Sequence, residues 1–389
     1  MATNLTESLA LPGVREQIAT RLTFFVAGFA YAAWAPIVPY VKRAAGLDDG
    51  QLGMLLLCLG MGSMIAMPLA GAAASRLGCR FVILTATALV GLALPILAGS
   101  TMVPALVVAL TVFGGGIGAM DCAMNIQAIN VERASGRTMM SGFHGLFSVG
   151  GLLGSAAVTF LLWAGVLPLL AVLGVVAIIA VLMGLGAAGL LPYGSQRAGE
   201  SSWFAIPHGV VLFLGILCFI VFLAEGSILD WSAEFLTKNR KFALAGFGYA
   251  AFSLTMAAGR LTGDAIVARI GPVRTVGFGG SIAAAGFALA MVVPTWQAAI
   301  IGFALVGVGC SNVVPVLFSS VGRQTTMPEH LAVPAITIVG YAGILAGPAM
   351  IGFLAQAVSL PFAFAVVAIL LVGVAFSGRF LPAQEVSDR

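Results

Sequence analysis

The sequence predicts an all-α membrane protein with twelve transmembrane helices in two similar halves of six. Composition is the first observation that predicts this class. Of the 389 residues, 60% are hydrophobic and only 8% are charged, whereas soluble domains usually carry about 25% charged residues. So few charges cannot cover the surface of a soluble fold, and lipid must solvate much of the chain. The composition therefore argues against a soluble enzyme.

The length of the apolar stretches is the second observation. A helix needs about 20 apolar residues to cross the hydrocarbon core of a bilayer. Stretches of about this length lie at 22–41, 51–71, 81–99, 103–129, 142–165, 168–191, 208–229, 243–264, 275–294, 297–320, 333–357 and 360–380. The 50 glycines fit close helix contacts in a bundle.

The basic residues predict the orientation of these spans. With the N-terminus inside, thirteen basic residues lie in inner segments, namely Arg15, Arg21, Arg76, Arg80, Arg133, Arg137, Arg197, Arg260, Arg269, Arg274, Arg323, Arg379 and Arg389. Five lie in outer segments, namely Lys42, Arg43, Lys238, Arg240 and Lys241. This excess obeys the positive-inside rule. We expect a multi-pass protein of a bacterial-type inner (plasma) membrane with both termini in the cytoplasm.

An internal repeat is the third observation. The loop after the second span, Ser75-Arg76-Leu77-Gly78-Cys79-Arg80, resembles the one after the eighth, Ala268-Arg269-Ile270-Gly271-Pro272-Val273-Arg274, and Arg76 and Arg269 are 193 residues apart. Asp121 and Asn312, in similar glycine-rich segments, are 191 residues apart. We predict six-helix halves at 1–191 and 208–389 joined by a cytoplasmic linker at 192–207. A solute site is expected between them near the membrane midplane.

The loop after the second span carries a family resemblance. Gly71, Arg76, Gly78 and Arg80 match the pattern G-x-x-x-[DS]-R-x-G-x-[RK], in which Ser75 replaces the usual Asp. The chain thus resembles the major facilitator superfamily, which implies secondary transport by alternating access in the major facilitator fold. Superfamily loops of this type are thought to hold the inner gate shut.

Three further segments resemble the MosC/YbjJ-type group, which is similar to the fucose permeases. They are 34–39, 229–232, and 121–125 with Glu132, Arg137 and His144 following. In fucose permeases the acid of an E-T-A-A-N sequence takes part in proton coupling, and Asp121 and Asn125 match that acid and that Asn. The first-span acid of those permeases has no match here.

Asp121 is the strongest candidate for proton coupling. A carboxylate inside a span costs about 2.5–3.5 kcal/mol, so it is kept only with a partner or a task. Asp121 carries either the coupled proton or a purely structural hydrogen bond, and the neutral Asn312 at the repeated position favours the first reading. Asn125, one helical turn away, either binds solute or holds Asp121.

Glu225 is the second acid inside a span. Gly226 and Ser227 follow it and could break the helix at a transport site; alternatively, Glu225 lies at the water boundary of a span that ends early. Trp231 either stacks on the solute or anchors the helix at the interface, and the second reading is favoured. Tyr31 and Trp34, in a first span bent by prolines, either line a cavity or face lipid.

Arg260 and Asp264 are four residues apart and can pair on one helix face. With Arg76, Arg80 and Arg269 in the repeated loops, they are the predicted gate residues. His144, at the inner end of the fifth span, is interpreted as a satisfied helix-start residue in preference to a proton relay.

The sequence contains no metal-binding pattern, because its three His are scattered, and no nucleotide-binding loop. We therefore expect no cofactor, no metal, no catalytic residue and no nucleic acid partner. The expected partners are a small solute, protons and the lipid bilayer. The leading hypothesis is proton-coupled symport of a small polar, sugar-like or polyol-like solute. The alternative is proton-driven efflux of small or apolar compounds by antiport, although the fifth span lacks the proline of the usual antiporter motif G-x-x-x-G-P.

Overall fold

The computed structural model describes residues 12–47, 49–194, 206–240 and 247–381. Most of the predicted linker 192–207 lies outside these ranges, as do Arg197, Lys241 and Arg389. The described residues are almost all helical, which confirms the all-α class.

The helices follow one another with short connections. Their bounds are α1 Val14–Ala33, α2 Val38–Ala44, α3 Asp49–Gly99, α4 Val103–Ser135, α5 Met140–Trp163, α6 Pro168–Gly186, α7 Gly209–Glu234, α8 Phe247–Ile270, α9 Pro272–Val292, α10 Trp296–Cys310, α11 Val313–Val321, α12 Glu329–Ala357 and α13 Leu360–Ser377. The first span expected at 22–41 is thus broken between α1 and α2; Pro36 lies in the break and Pro39 in the first turn of α2.

Ten helical segments of the described chain are long and apolar enough to cross a membrane. One of them lies within α3, whose 51 residues would measure about 76 Å if straight, against a hydrocarbon core of about 30 Å. Gly78 is non-helical there (φ 85°, ψ 158°) and divides α3 into two limbs. Helix α8 is not among the ten segments and carries Arg260, Asp264 and Arg269.

The helices pack in a pattern that recurs along the chain. Helix α1 packs on α5, and α7 packs on α12; α3 packs on α4, and α9 packs on α10. Glycines allow these close approaches, because a Cβ at Gly28 or Gly150 would collide with backbone carbonyls of the facing helix. Contacts of α5 with α8 and of α3 with α12 join the chain before the linker to the chain after it.

Consecutive helices joined by short connections run in opposite directions. One end of the bundle therefore carries the start of α1, Gly78, Gly271 and the connections at 136–139 and 322–328. We call it the arginine-rich end, because Arg76, Arg133, Arg137, Arg274 and Arg323 lie there. The connections at 100–102 and 164–167 lie at the opposite end.

Candidate functional site

A cavity of about 200 Å³ lies between the helices that precede the linker and those that follow it. It is smaller than the roughly 300–1,000 Å³ of most ligand sites. The wall is largely aromatic and aliphatic with few polar groups. The side chains that bring polar atoms to it include Tyr31, Asp121, His144, Glu225, Arg260 and Tyr341. The size and lining suit a small solute oriented by a few polar contacts.

Asp121 reaches the cavity from the middle of α4. The glycine face of α4 packs on α3: Ser63 Oγ donates to the Gly114 carbonyl at 2.8 Å, and a Cβ at Gly118 would lie 2.7 Å from Ser63 Cα. Asn125 donates its side-chain N–H to the Asp121 carbonyl oxygen at 2.8 Å and to Asp121 Oδ1 at 3.4 Å. Asn125 itself does not line the cavity, so its geometry fits the reading in which it holds Asp121.

Glu225 and Arg260 form an ion pair on the other side of the cavity. Arg260 Nη2 lies 3.4 Å from Glu225 Oε1, and the two side chains are 10% and 17% exposed. Arg260 also donates to Ser148 Oγ at 3.1 Å and to the Ser311 carbonyl at 3.4 Å. One guanidinium therefore connects α8 to α5, to α7 and to the break between α10 and α11.

The predicted pairing of Arg260 with Asp264 is wrong. Arg260 turns into the cavity, whereas Asp264 faces α5 and accepts the Gly142 N–H at 3.0 Å. Thr138 Oγ1 donates to the Asp264 carbonyl oxygen at 2.9 Å. A spacing of four residues permits a pair on a helix. In the folded chain Arg260 pairs with Glu225 instead, and Asp264 accepts a free N–H group at the start of α5.

The predicted substrate residues are only partly brought together. Tyr31 lines the cavity, but Trp34, Trp231 and Asn312 do not. Trp34 is buried in the core, and Trp231 packs 3.2 Å from the Cβ position of Gly352. Asn312 donates to the Gly259 carbonyl at 3.0 Å and to Ser311 Oγ at 3.1 Å, so it holds α8 against the break between α10 and α11.

His144 lies on the cavity wall, and its interpretation as a satisfied helix-start residue is wrong. Its ring contacts Phe24 and Phe318 at centroid distances of 5.2 and 5.7 Å. Its buried Nε2 has no hydrogen-bond partner among the described residues. An unpaired ring nitrogen beside the cavity is available to a solute. The sequence alone does not reveal this position, because it depends on how α5 packs against the other helices.

Hydrogen bonds close the arginine-rich end between the two parts of the chain. Arg133 donates to the Gly322 carbonyl at 2.5 Å and pairs with Glu329. Ser319 Oγ donates to Glu132 Oε1 at 2.5 Å, while Glu132 Oε2 accepts the N–H groups of Met139 and Met140 at 2.8 Å. We call Glu132, Arg133, Ser319, Gly322 and Glu329 the closing cluster.

The predicted gate residues Arg76, Arg80 and Arg269 are not in the closing cluster. Arg80 donates to the carbonyls of Leu190 and Ala188, which precede the linker, and so makes no bridge across the bundle. Arg76 and Arg269 are exposed at the arginine-rich end. Glu132 was noted only within a resemblance. Arg133, Ser319 and Glu329 were not predicted as gate residues, because their partners lie 187 to 196 residues away along the chain.

Comparison with known proteins supplies the family. The Major Facilitator Superfamily matches residues 22–243. An uncharacterised MFS-type transporter of Yersinia pestis is 51% identical over 382 residues, 97% of this chain and 99% of the relative. The membrane protein MosC of Rhizobium meliloti is 32% identical over 358 residues, 90% of this chain and 86% of MosC.

Among solved structures, the Escherichia coli fucose:proton symporter FucP superposes with a TM-score of 0.79 at 16% identity, covering 94% of this chain and 98% of FucP. The proton:xylose symporter XylE superposes with a TM-score of 0.65 at 15% identity, covering 95% of each chain. At these identities the superpositions show the fold, and the resemblance to the major facilitator fold is confirmed. With the family match over more than half its length and relatives that are transporters, not enzymes, this chain belongs to the major facilitator superfamily of membrane transporters.

Proposed function

We propose that the chain is a proton-coupled symporter that moves a small polar, sugar-like or polyol-like solute by alternating access. The observation that best supports this proposal is the central cavity, which has an acid, Asp121, on one wall and the Glu225–Arg260 ion pair on the other. Carboxyl groups away from bulk water can exchange protons near neutral pH. The proton-coupled sugar carriers FucP and XylE, which share the fold, support this proposal.

The proposed architecture is twelve spans in two pseudo-symmetric halves, 1–191 and 208–389. Joining α1 to α2 and α10 to α11, dividing α3 at Gly78 and counting α8 as a span brings the described helices to this number. The recurring packing of α1 on α5 and of α7 on α12 supports the repeat. Because of the positive-inside rule we assign the arginine-rich end, and with it both termini, to the cytoplasm of a bacterial-type inner membrane.

Proton-linked solute movement in vesicles tests the function. Purified protein reconstituted into vesicles is given an inward gradient of fucose, xylose or a polyol, and a trapped dye reports the internal pH. Symport acidifies the lumen as the solute enters, because both species move in the same direction. Antiport, the alternative function, makes the lumen alkaline. Protein-free vesicles and a protonophore are the controls, and solute uptake without a pH change contradicts both mechanisms.

The closing cluster and the Asp264–Gly142 hydrogen bond support a gate at the arginine-rich end. We expect Asp264→Ala to lower transport turnover about tenfold with little effect on the intrinsic solute affinity. The lost bond, worth about 1.5 kcal/mol or more to a charged acceptor, belongs to the closed state alone. Asp264→Asn keeps an oxygen acceptor for the Gly142 N–H and is the matched control. Equal losses of turnover and binding in Asp264→Ala would place Asp264 in the solute site instead.

A further inference from the structure

A second, larger cavity opens on the outer surface of the bundle, away from the transport site. It is a groove of about 650 Å³ between α9 and α13. Small residues on both helices, including Gly277, Ala285 and Ala368, form its floor, and the exposed rings of Phe278 and Phe376 flank it. Its walls are apolar along almost their whole length, and nothing in the proposed transport mechanism uses it.

Positive charge is confined to one end of this groove. Arg274, in the first turn of α9, lines the groove at the arginine-rich end and is exposed. Arg379 is also exposed and lies nearby, because a Cβ at the preceding Gly378 would lie 2.7 Å from the carbonyl oxygen of Val273. Within the described part of the chain, neither arginine forms an ion pair with an acid. The groove is thus apolar along its length and has, at its arginine-rich end, two arginines without an acidic partner among the described residues.

The length of the groove matches one leaflet of a bilayer. Along α9 it extends from Arg274 to Ala288, which is about 21 Å at 1.5 Å per residue. Half of a bilayer with its headgroup region is about 20–22 Å thick. When the arginines lie at the level of the headgroups, the apolar part of the groove covers the depth of the acyl chains.

From this geometry we propose that the groove between α9 and α13 is a binding site for one anionic phospholipid. The phosphate contacts Arg274 and Arg379, and an acyl chain lies over the small residues between the two helices. Basic side chains beside an apolar groove at the headgroup level select anionic over zwitterionic lipids. The site does not depend on the identity of the transported solute or on proton coupling, so it stands apart from the proposed function.

Lipid titration of the delipidated, full-length protein tests the site. Phosphatidylglycerol or phosphatidylcholine of the same chain length is added, and native mass spectrometry and thermal unfolding record binding and stabilisation. We expect tighter binding of phosphatidylglycerol. Arg274→Gln and Arg379→Gln should each weaken that binding about fivefold, the equivalent of about 1 kcal/mol per basic residue near an anionic surface. Arg137→Gln, which removes an exposed arginine of the same end that does not line the groove, should leave it unchanged.

A variant that fills the groove distinguishes the contribution of the acyl chain to lipid binding from that of the headgroup charge. Ala285→Leu should weaken the binding of both lipids, whereas Ala180→Leu, at an exposed alanine of α6, should not. Equal affinity for both lipids in the parent, or equal losses in the Arg274 and Arg137 variants, overturns the proposal. A dimer that excludes lipid and dissociates in Ala285→Leu also overturns it, because the groove then belongs to a second copy of the chain.

Discussion

Asp121→Asn is expected to abolish solute accumulation while leaving solute exchange across the membrane intact. The variant mimics the permanently protonated acid, so a proton can no longer change the relative affinity of the two conformations. In the parent, solute affinity should rise as the pH falls from about 8 to 5, since protonation accompanies binding in symport. In the variant, affinity should not depend on pH across this range. Counterflow, gradient-driven uptake and binding at several pH values measure the three quantities.

Asp230→Asn is the matched control for this variant. Asp230 is an exposed acid of α7 that does not line the cavity, so its replacement should leave accumulation and its pH dependence as in the parent. Thermal unfolding and elution as a single species show whether Asp121→Asn is folded. A folded Asp121→Asn protein with full proton-driven accumulation would falsify the coupling role of Asp121, and Glu225 would then be the next candidate.

Glu225→Gln is expected to destabilise the protein more than Arg260→Met does. Removing one partner of a buried ion pair costs about 3–5 kcal/mol, and the partial exposure of the Arg260 and Glu225 side chains places the expected loss at the lower end of that range. In Arg260→Met the unpaired Glu225 carboxyl can take up a proton and become neutral. In Glu225→Gln the unpaired Arg260 guanidinium keeps its charge, so its burial costs more. Both variants should lose transport, since Arg260 also joins α5 to the break between α10 and α11 through Ser148 and Ser311.

The double variant Glu225→Gln/Arg260→Met tests the pair itself. Because it leaves no unpaired charge, its thermal stability should exceed that of Glu225→Gln alone, while transport stays lost. Glu234→Gln, which breaks the exposed pair with Lys238 on the surface of α7, is the control and should cost less than about 1 kcal/mol. Additive losses in the double variant contradict a direct interaction between Glu225 and Arg260.

The sequence predicted the fold better than it predicted the site. Composition and span length led to the all-α membrane class, and the loop around Arg76 and Gly78 led to the family. Asp121 was identified from single-residue chemistry, since an acid inside a span is costly wherever its helix packs. The structure places Asp121 in the cavity, and its role in coupling stays a prediction.

The remaining parts of the site depend on contacts between distant segments. The ion pair of Arg260 with Glu225 joins two helices, and helical spacing pointed instead to Asp264, which was the wrong partner. The closing cluster joins Glu132 and Arg133 to residues 187 to 196 positions later. Close packing of small residues, such as that of Gly28 and Gly150, decides which helix faces meet in the bundle. A single sequence does not reveal those pairings.

Gly78 and Gly271 occupy similar turns but require glycine for different reasons. Their backbones are nearly identical, with φ/ψ of 85°/158° and 81°/162°, a conformation that is essentially restricted to glycine. A side chain at Gly78 would collide with Pro192, whereas the Cβ position of Gly271 has no neighbour within 4 Å. Tight packing therefore accounts for glycine at the first position only. At Gly271 the backbone conformation alone requires glycine, so a substitution there would strain the turn without creating a collision.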